Sequence, residues 1–223
     1  MSKRTTCRTA AALALAGTLS VGLSACGGGS DDSGSGEKEK IAGAGKGGDD
    51  SSKSPSPGEG SEPGAPTFDL PSDVTLKFDV PKTGEKAKDE VLRDVVYSAK
   101  AEREAYTKGT PGTKNMVRYR IYPALSTLGK DVKRVHDDGL TITGKYLYYN
   151  FKVEDLAKRE AWVTYCLSER DAYGKEIKTG KVRKAKHSND DFDQYTAGLV
   201  RNKKGDWQVT RETRKSGVKE CVQ

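Results

Sequence analysis

The sequence predicts an α+β domain, with N-terminal helices packed on one side of a curved antiparallel sheet, behind a signal peptide and a disordered tether. Three observations predict it. Apolar residues recur at helical spacing between Thr83 and Asp137, the period changes to alternation after Gly139, and the stretch from Gly27 to Pro66 is almost without large apolar residues.

Lys3, Arg4 and Arg8 precede an apolar run, Ala10 to Leu23, in the order of a secretory signal. That run is too short and too rich in Gly, Ser and Thr to span a bilayer. Lys3-Arg4 is not a twin arginine, which points to the general secretion route. Leu23, Ser24, Ala25 and Cys26 resemble a bacterial lipobox. The chemistry accounts for the residue types: Leu23 fills an apolar enzyme pocket, Ser24 and Ala25 are small enough for close approach, and the Cys26 thiol makes the thioether to diacylglycerol. The alternative is an ordinary signal peptide with a cysteine at its cleavage site. Two or three acyl chains hold a protein firmly where one does not. The expectation is therefore a signal at 1–25, cleavage before a lipidated Cys26, and anchoring on the outer face of the cell membrane.

Residues 26–66 are Gly, Ser, Asp, Glu, Lys and Pro almost throughout, so this linker cannot offset its own ordering entropy. As a coil it reaches roughly 35 Å, enough to hold a domain clear of the headgroups. Formal charge is +3 in 1–25, −4 in 26–66 and +8 in 67–223, giving +7 for the chain. The folded part, 67–223, is the basic part and has the length of one domain.

Val91, Val95, Ala99 and Arg103, with Leu92, Val96 and Tyr106 beside them, mark one helix, stopped by Gly109 and Pro111. Leu125, Leu128, Val132 and Val135 mark a second, with Pro123 at or before its first turn and Asp137 to Gly139 ending it. Leu140, Ile142, Tyr146 and Tyr148 then alternate, as do Ala161, Val163, Tyr165 and Leu167 against Trp162, Thr164 and Cys166. DQYTAGLVRNKKGDWQVTRETR reads as a hairpin turning at Gly205, and KEIKTGKVRKAK as a weaker strand.

The segments PALSTLGKDVKRVHDDGLTITG, AWVTYCLSERDAYG, YTAGLVRNKKGDWQVT and the terminal KECVQ resemble the nuclear-transport-factor-2-like group, which includes SnoaL-like cyclases and ketosteroid isomerase. More narrowly they resemble its lipid-anchored members on Gram-positive surfaces. The resemblance implies a cone. With Cys7 in the signal and Cys26 lipidated, Cys166 and Cys221 are left, an even pair expected outside the cytosol, whether bonded or as free thiols. The resemblance implies that they are joined. Family enzymes place an acid or a histidine inside the cone, but no local motif aligns to carry those residues over.

Chemistry-bearing patterns are few. Two histidines and no suitably spaced cysteines leave no metal site, and NDDFDQ lacks the glycine and distal glutamate of a calcium loop. There is no phosphate loop and no nucleophile elbow, so no cofactor is expected. His136 with Asp137 or Asp138 sits at a helix end, where capping explains it better than catalysis. Lys181, Arg183, Lys184 and Lys186, with RNKK and RETRK, form a candidate face for anionic wall polymers or headgroups, or an ordinary solvated surface. Nucleic acid is not expected outside the membrane.

Ten tyrosines allow a ligand cleft or a core with wet edges. Candidate pocket walls are Tyr148, Val163, Tyr165, Leu167, Tyr195 and Leu199. The interior strand positions, with Ala197, supply neither carboxylate nor imidazole; His136 and Asp171 are the groups most able to reach the cavity from elsewhere. The expectation is a non-catalytic module for a small apolar ligand or a cell-envelope protein. Alternatives are an isomerase-like or cyclase-like enzyme, or an accessory protein of wall assembly that pairs as a homodimer.

Overall fold

The computed structural model describes residues 64–223. The signal, the lipobox and nearly all of the linker lie outside the described residues. The helices precede all but the first strand of the sheet and pack against its curved, unclosed face. Strand β1 (Val74–Phe78) leads into α1 (Lys86–Lys108), α2 (Lys114–Tyr119) and α3 (Ala124–Asp137). Then come β2 (Leu140–Leu156), β3 (Glu160–Glu176), the short β4 (Val182–Arg183), β5 (Phe192–Arg201) and β6 (Trp207–Ser216). The order across the sheet is β1-β2-β3-β5-β6, with β4 paired to the end of β3.

Local chemistry sets the helix ends. The Asp89 carboxylate accepts from the Thr83 amide and hydroxyl at 2.9 and 2.7 Å, tying the approach to the first turn of α1. Gly109 closes the helix in the left-handed region, φ 64°, and its N–H reaches the last carbonyls. Thr113 caps α2 by accepting from the Met116 amide.

Two elements escaped the sequence. β1 is five residues long and runs parallel to β2, so the sheet is mixed, not purely antiparallel. α2 is a six-residue helix with too few turns to show a period.

α1 is the central element. Val91, Leu92, Val95 and Ala99 pack on Tyr146, Tyr148, Val163, Tyr165, Leu167, Tyr195, Ala197 and Leu199 from the sheet. Each such side chain contributes about 1.5–3 kcal/mol on burial. The end of α1 makes a second core with Met116, Leu128 and Val132. On the opposite face of the sheet, Tyr149, Phe192 and a Cys166–Cys221 disulfide form a third cluster.

The disulfide closes a separation of 55 residues and pins the C-terminal segment to β3. Reduction should lower unfolding stability by about 2–4 kcal/mol. Urea unfolding with and without reductant measures it, and coincident curves would contradict it.

Candidate functional site

The residues expected as pocket walls come together, but as core. Tyr148, Val163, Tyr165, Leu167, Tyr195 and Leu199 are all buried beneath α1. Tyr165 stacks between Tyr195, at 5.1 Å, and Phe151, at 5.3 Å, while Phe78 stacks on Tyr148 at 4.6 Å. The rings fill the space that a pocket would need, because the strand register sets Tyr165 directly opposite Tyr195.

The interior also holds charge, contrary to the expectation from its strand positions. Glu102 and Arg103 of α1 are buried, and so is Arg120, just past α2. Arg120 donates to Glu102 at 2.8 Å and to Glu212 of β6 at 2.7 Å. Glu212 also accepts from the Tyr165 hydroxyl at 2.9 Å. Arg103 donates to the Tyr148 hydroxyl at 2.8 Å, lies 3.5 Å from Glu102 and 3.4 Å from Glu169, and sits over the Tyr146 ring.

Burial pushes the Glu102 carboxyl above the ordinary range, against the pull of Arg103 and Arg120. Both guanidiniums stay cationic: burial would lower them, but the neighbouring tyrosines and carboxylates hold them up. Burial likewise raises the phenols, Tyr146 to about 12 and Tyr148 and Tyr165 further, so they serve as neutral hydrogen-bonding groups. The carboxylates here are held by guanidiniums and a phenol, and the arrangement locks α1, Arg120 and β6 together.

A second buried carboxylate, Asp94, accepts from the Trp207 amide at 2.8 Å and from Arg93 at 2.9 Å. Its burial outweighs those bonds and raises it above the ordinary value. A carboxyl whose folded value exceeds its unfolded one stabilises the fold less as pH rises through that interval. The stability difference between wild type and Asp94→Asn should therefore shift toward the variant as pH climbs from about 4. Urea midpoints across pH test this; a constant difference would refute it.

The other candidates lie elsewhere. His136 is exposed against the α1 cap, where its ring meets Gly109. Asp171 is exposed on β3, and Asp137 pairs with Lys133 on the surface of α3. Lys181, Arg183, Lys184 and Lys186 are exposed around β4; Arg183 pairs with Glu176 at 3.2 Å and Lys184 lies over Tyr173. Among the described residues no cluster of His, Cys, Asp and Glu could hold a metal, and no helix is long and apolar enough to cross a membrane.

A concave surface feature lies beside Trp162, on the other face of the sheet. Trp162, Gly198 and Arg211 stand side by side on β3, β5 and β6. With Tyr122, Pro123, Glu160 and Thr210 they bound a hollow of about 440 Å³. Trp162 is 40% exposed and Tyr122 80%. A Cβ on Gly198 would stand 3.1–3.4 Å from three atoms of the Trp162 ring, so the glycine lets the indole lie against the strand. Tyr122 and Pro123 come from the link between α2 and α3, which the Ile121 amide ties to the Val209 carbonyl at 3.0 Å. Leu199 is the expected pocket residue that also borders this hollow.

Fold and interior together define a small α+β domain that lays one long helix on a curved sheet and locks it with buried ion pairs. Neither a family model nor a curated protein matches the chain. Solved structures with similar folds include the intermembrane-space region of the chloroplast protein ARC6, at 14% identity, TM-score 0.40, covering 61% of this chain and 99% of that one. Another is a ketosteroid isomerase-like protein from Erwinia carotovora atroseptica, at 14% identity, TM-score 0.41, covering 59% of this chain and 97% of that one. At these scores neither likeness carries an argument about chemistry or ligand.

Proposed function

We propose that the protein is a lipid-anchored module on the outer face of the cell membrane, which binds a ligand or an envelope partner at its sheet surface without turning it over. One observation carries the reading: the interior is filled by stacked tyrosines and by the Glu102–Arg120–Glu212 ion pairs, while the exposed rings of Trp162 and Tyr122 line a hollow at the surface. Proton transfer needs a titrating group within reach of a substrate atom. The interior carboxylates are engaged by guanidiniums, and the hollow beside Trp162 is lined by one carboxylate, Glu160, with no imidazole or second carboxylate beside it. The charge order, apolar run and lipobox support the anchor, and the linker supports presentation away from the lipid.

Fatty-acid labelling of the native protein should be lost in Cys26→Ala; a variant that labels normally removes the anchor from the reading. The competing enzyme reading draws on the raised carboxyl of Glu102 beside the tyrosines. Isomerase and dehydratase assays on the full chain decide between them. Turnover abolished by Glu102→Gln in a protein that still unfolds cooperatively would make it an enzyme.

A further inference from the structure

We infer that the outer sheet face carries a binding site for an acidic saccharide, seated on Trp162 and reaching toward Arg159 and Lys203. Resting on the envelope-facing reading, it names the ligand class of that surface.

The first observation is the platform. Trp162 alternates with buried Ala161 and Val163, so its ring lies on the face away from α1. Gly198 leaves the neighbouring strand bare, and the indole settles over it as an exposed apolar plane. Such a plane matches the flat C–H face of a pyranose ring. Tyr122 stands at the rim with its hydroxyl free to donate or accept.

The second is the polar frame. Glu160 and Arg211 border the same hollow, and among the described residues neither side chain has an ion-pair partner. A carboxylate only accepts and a guanidinium only donates, the latter in a planar fork. Vicinal hydroxyls of a sugar can give to the one and receive from the other.

The third is an adjoining hollow of about 460 Å³, bounded by Arg159, Glu160, Val200, Arg201, Asn202 and Lys203. Glu160 and Val200 belong to both hollows, so the two are neighbours. Arg201 is committed to Glu90 at 3.0 Å, but Arg159 and Lys203 have no carboxylate partner among the described residues. They line the hollow next to the one that holds Trp162 and would meet an anionic substituent of a ligand seated there. Each hollow has the size of a small-molecule site.

The probe is tri-galacturonate, with galactotriose as its neutral counterpart, titrated into the full chain by calorimetry and tryptophan fluorescence. The expected result is saturable binding of the acidic trisaccharide, at least tenfold tighter than the neutral one and weakening with salt. Trp162→Ala should lose at least tenfold, and Trp162→Phe, which keeps a ring, less. Arg159→Gln and Arg211→Gln should each lose several-fold, with urea midpoints checking that these exposed substitutions leave the fold intact. Absence of saturable binding, undiminished binding by Trp162→Ala, or equal affinity for the neutral sugar would overturn the inference. Lipid labelling at Cys26 is read separately: labelling without binding ends this site alone, and binding without labelling ends the anchor alone.

Discussion

Arg120→Ala should destabilise the domain by about 3–5 kcal/mol, because it removes one partner from buried ion pairs and leaves the other uncompensated. Arg120 sits between Glu102, at 2.8 Å, and Glu212, at 2.7 Å, and is itself almost fully buried. Without it, Glu212 keeps the Tyr165 hydroxyl, and Glu102 keeps Arg103 at the longer 3.5 Å. Burial already raises the Glu102 carboxyl, so the defect should ease on acidification, as that group takes up a proton before its unfolded counterpart does. The asymmetry of buried charge supplies a second test. Replacing all three residues together, as Arg120→Met, Glu102→Leu and Glu212→Leu, should recover much of the loss, since an apolar substitute needs no partner. Urea unfolding measures both variants. A cost below about 1 kcal/mol for Arg120→Ala would mean that the network does not hold the helix to the sheet.

The expected stability loss exposes what the sequence concealed. The stripe Val91, Val95, Ala99 runs straight into Arg103, a signal that this arginine is interior, yet Glu102 beside it reads as an ordinary solvated position. α1 is covered on more than one side, by the sheet and by α2 and α3, so polar residues outside its apolar stripe are buried as well. Periodicity reports a single face and misses that case. The strands were legible because alternation survives in long segments: Ala161, Val163, Tyr165 and Leu167 are all interior, as their spacing predicts. β1 was not, since its five residues show alternation too briefly and its partner is distant in sequence. The hollow was hidden for a different reason. Trp162, Gly198 and Arg211 become neighbours only through the register of three strands, which no single segment encodes. Whether tyrosines line a cavity or fill it is likewise a matter of packing, decided by Tyr165 meeting Tyr195 and Phe151 face to face.

Gly144→Ala should cost about 3–5 kcal/mol, and more than Gly109→Ala, although both glycines have positive φ and both leave no room for a methyl. Gly144 lies in β2 at φ 96°, where its amide donates to the Asp73 carbonyl at 2.8 Å beside the β1 pairing. An added Cβ there would fall 2.1 Å from the backbone oxygen of Asp171 and 3.1 Å from the Ala172 Cα. Those atoms belong to the β3 ladder and cannot yield without breaking strand pairing. At Gly109 the obstacle is the His136 ring, 2.0 Å from the new Cβ, and an exposed side chain can rotate away. What then persists is the left-handed backbone strain at φ 64°, about 1–2 kcal/mol. The two sites should therefore respond oppositely to a second substitution. His136→Ala should restore part of the stability lost in Gly109→Ala, since it deletes the colliding atoms. Asp171→Ala should restore nothing in Gly144→Ala, because the colliding oxygen is main chain. Equal costs at the two glycines, or rescue of Gly144→Ala by Asp171→Ala, would show that the obstruction at β2 is a side chain after all.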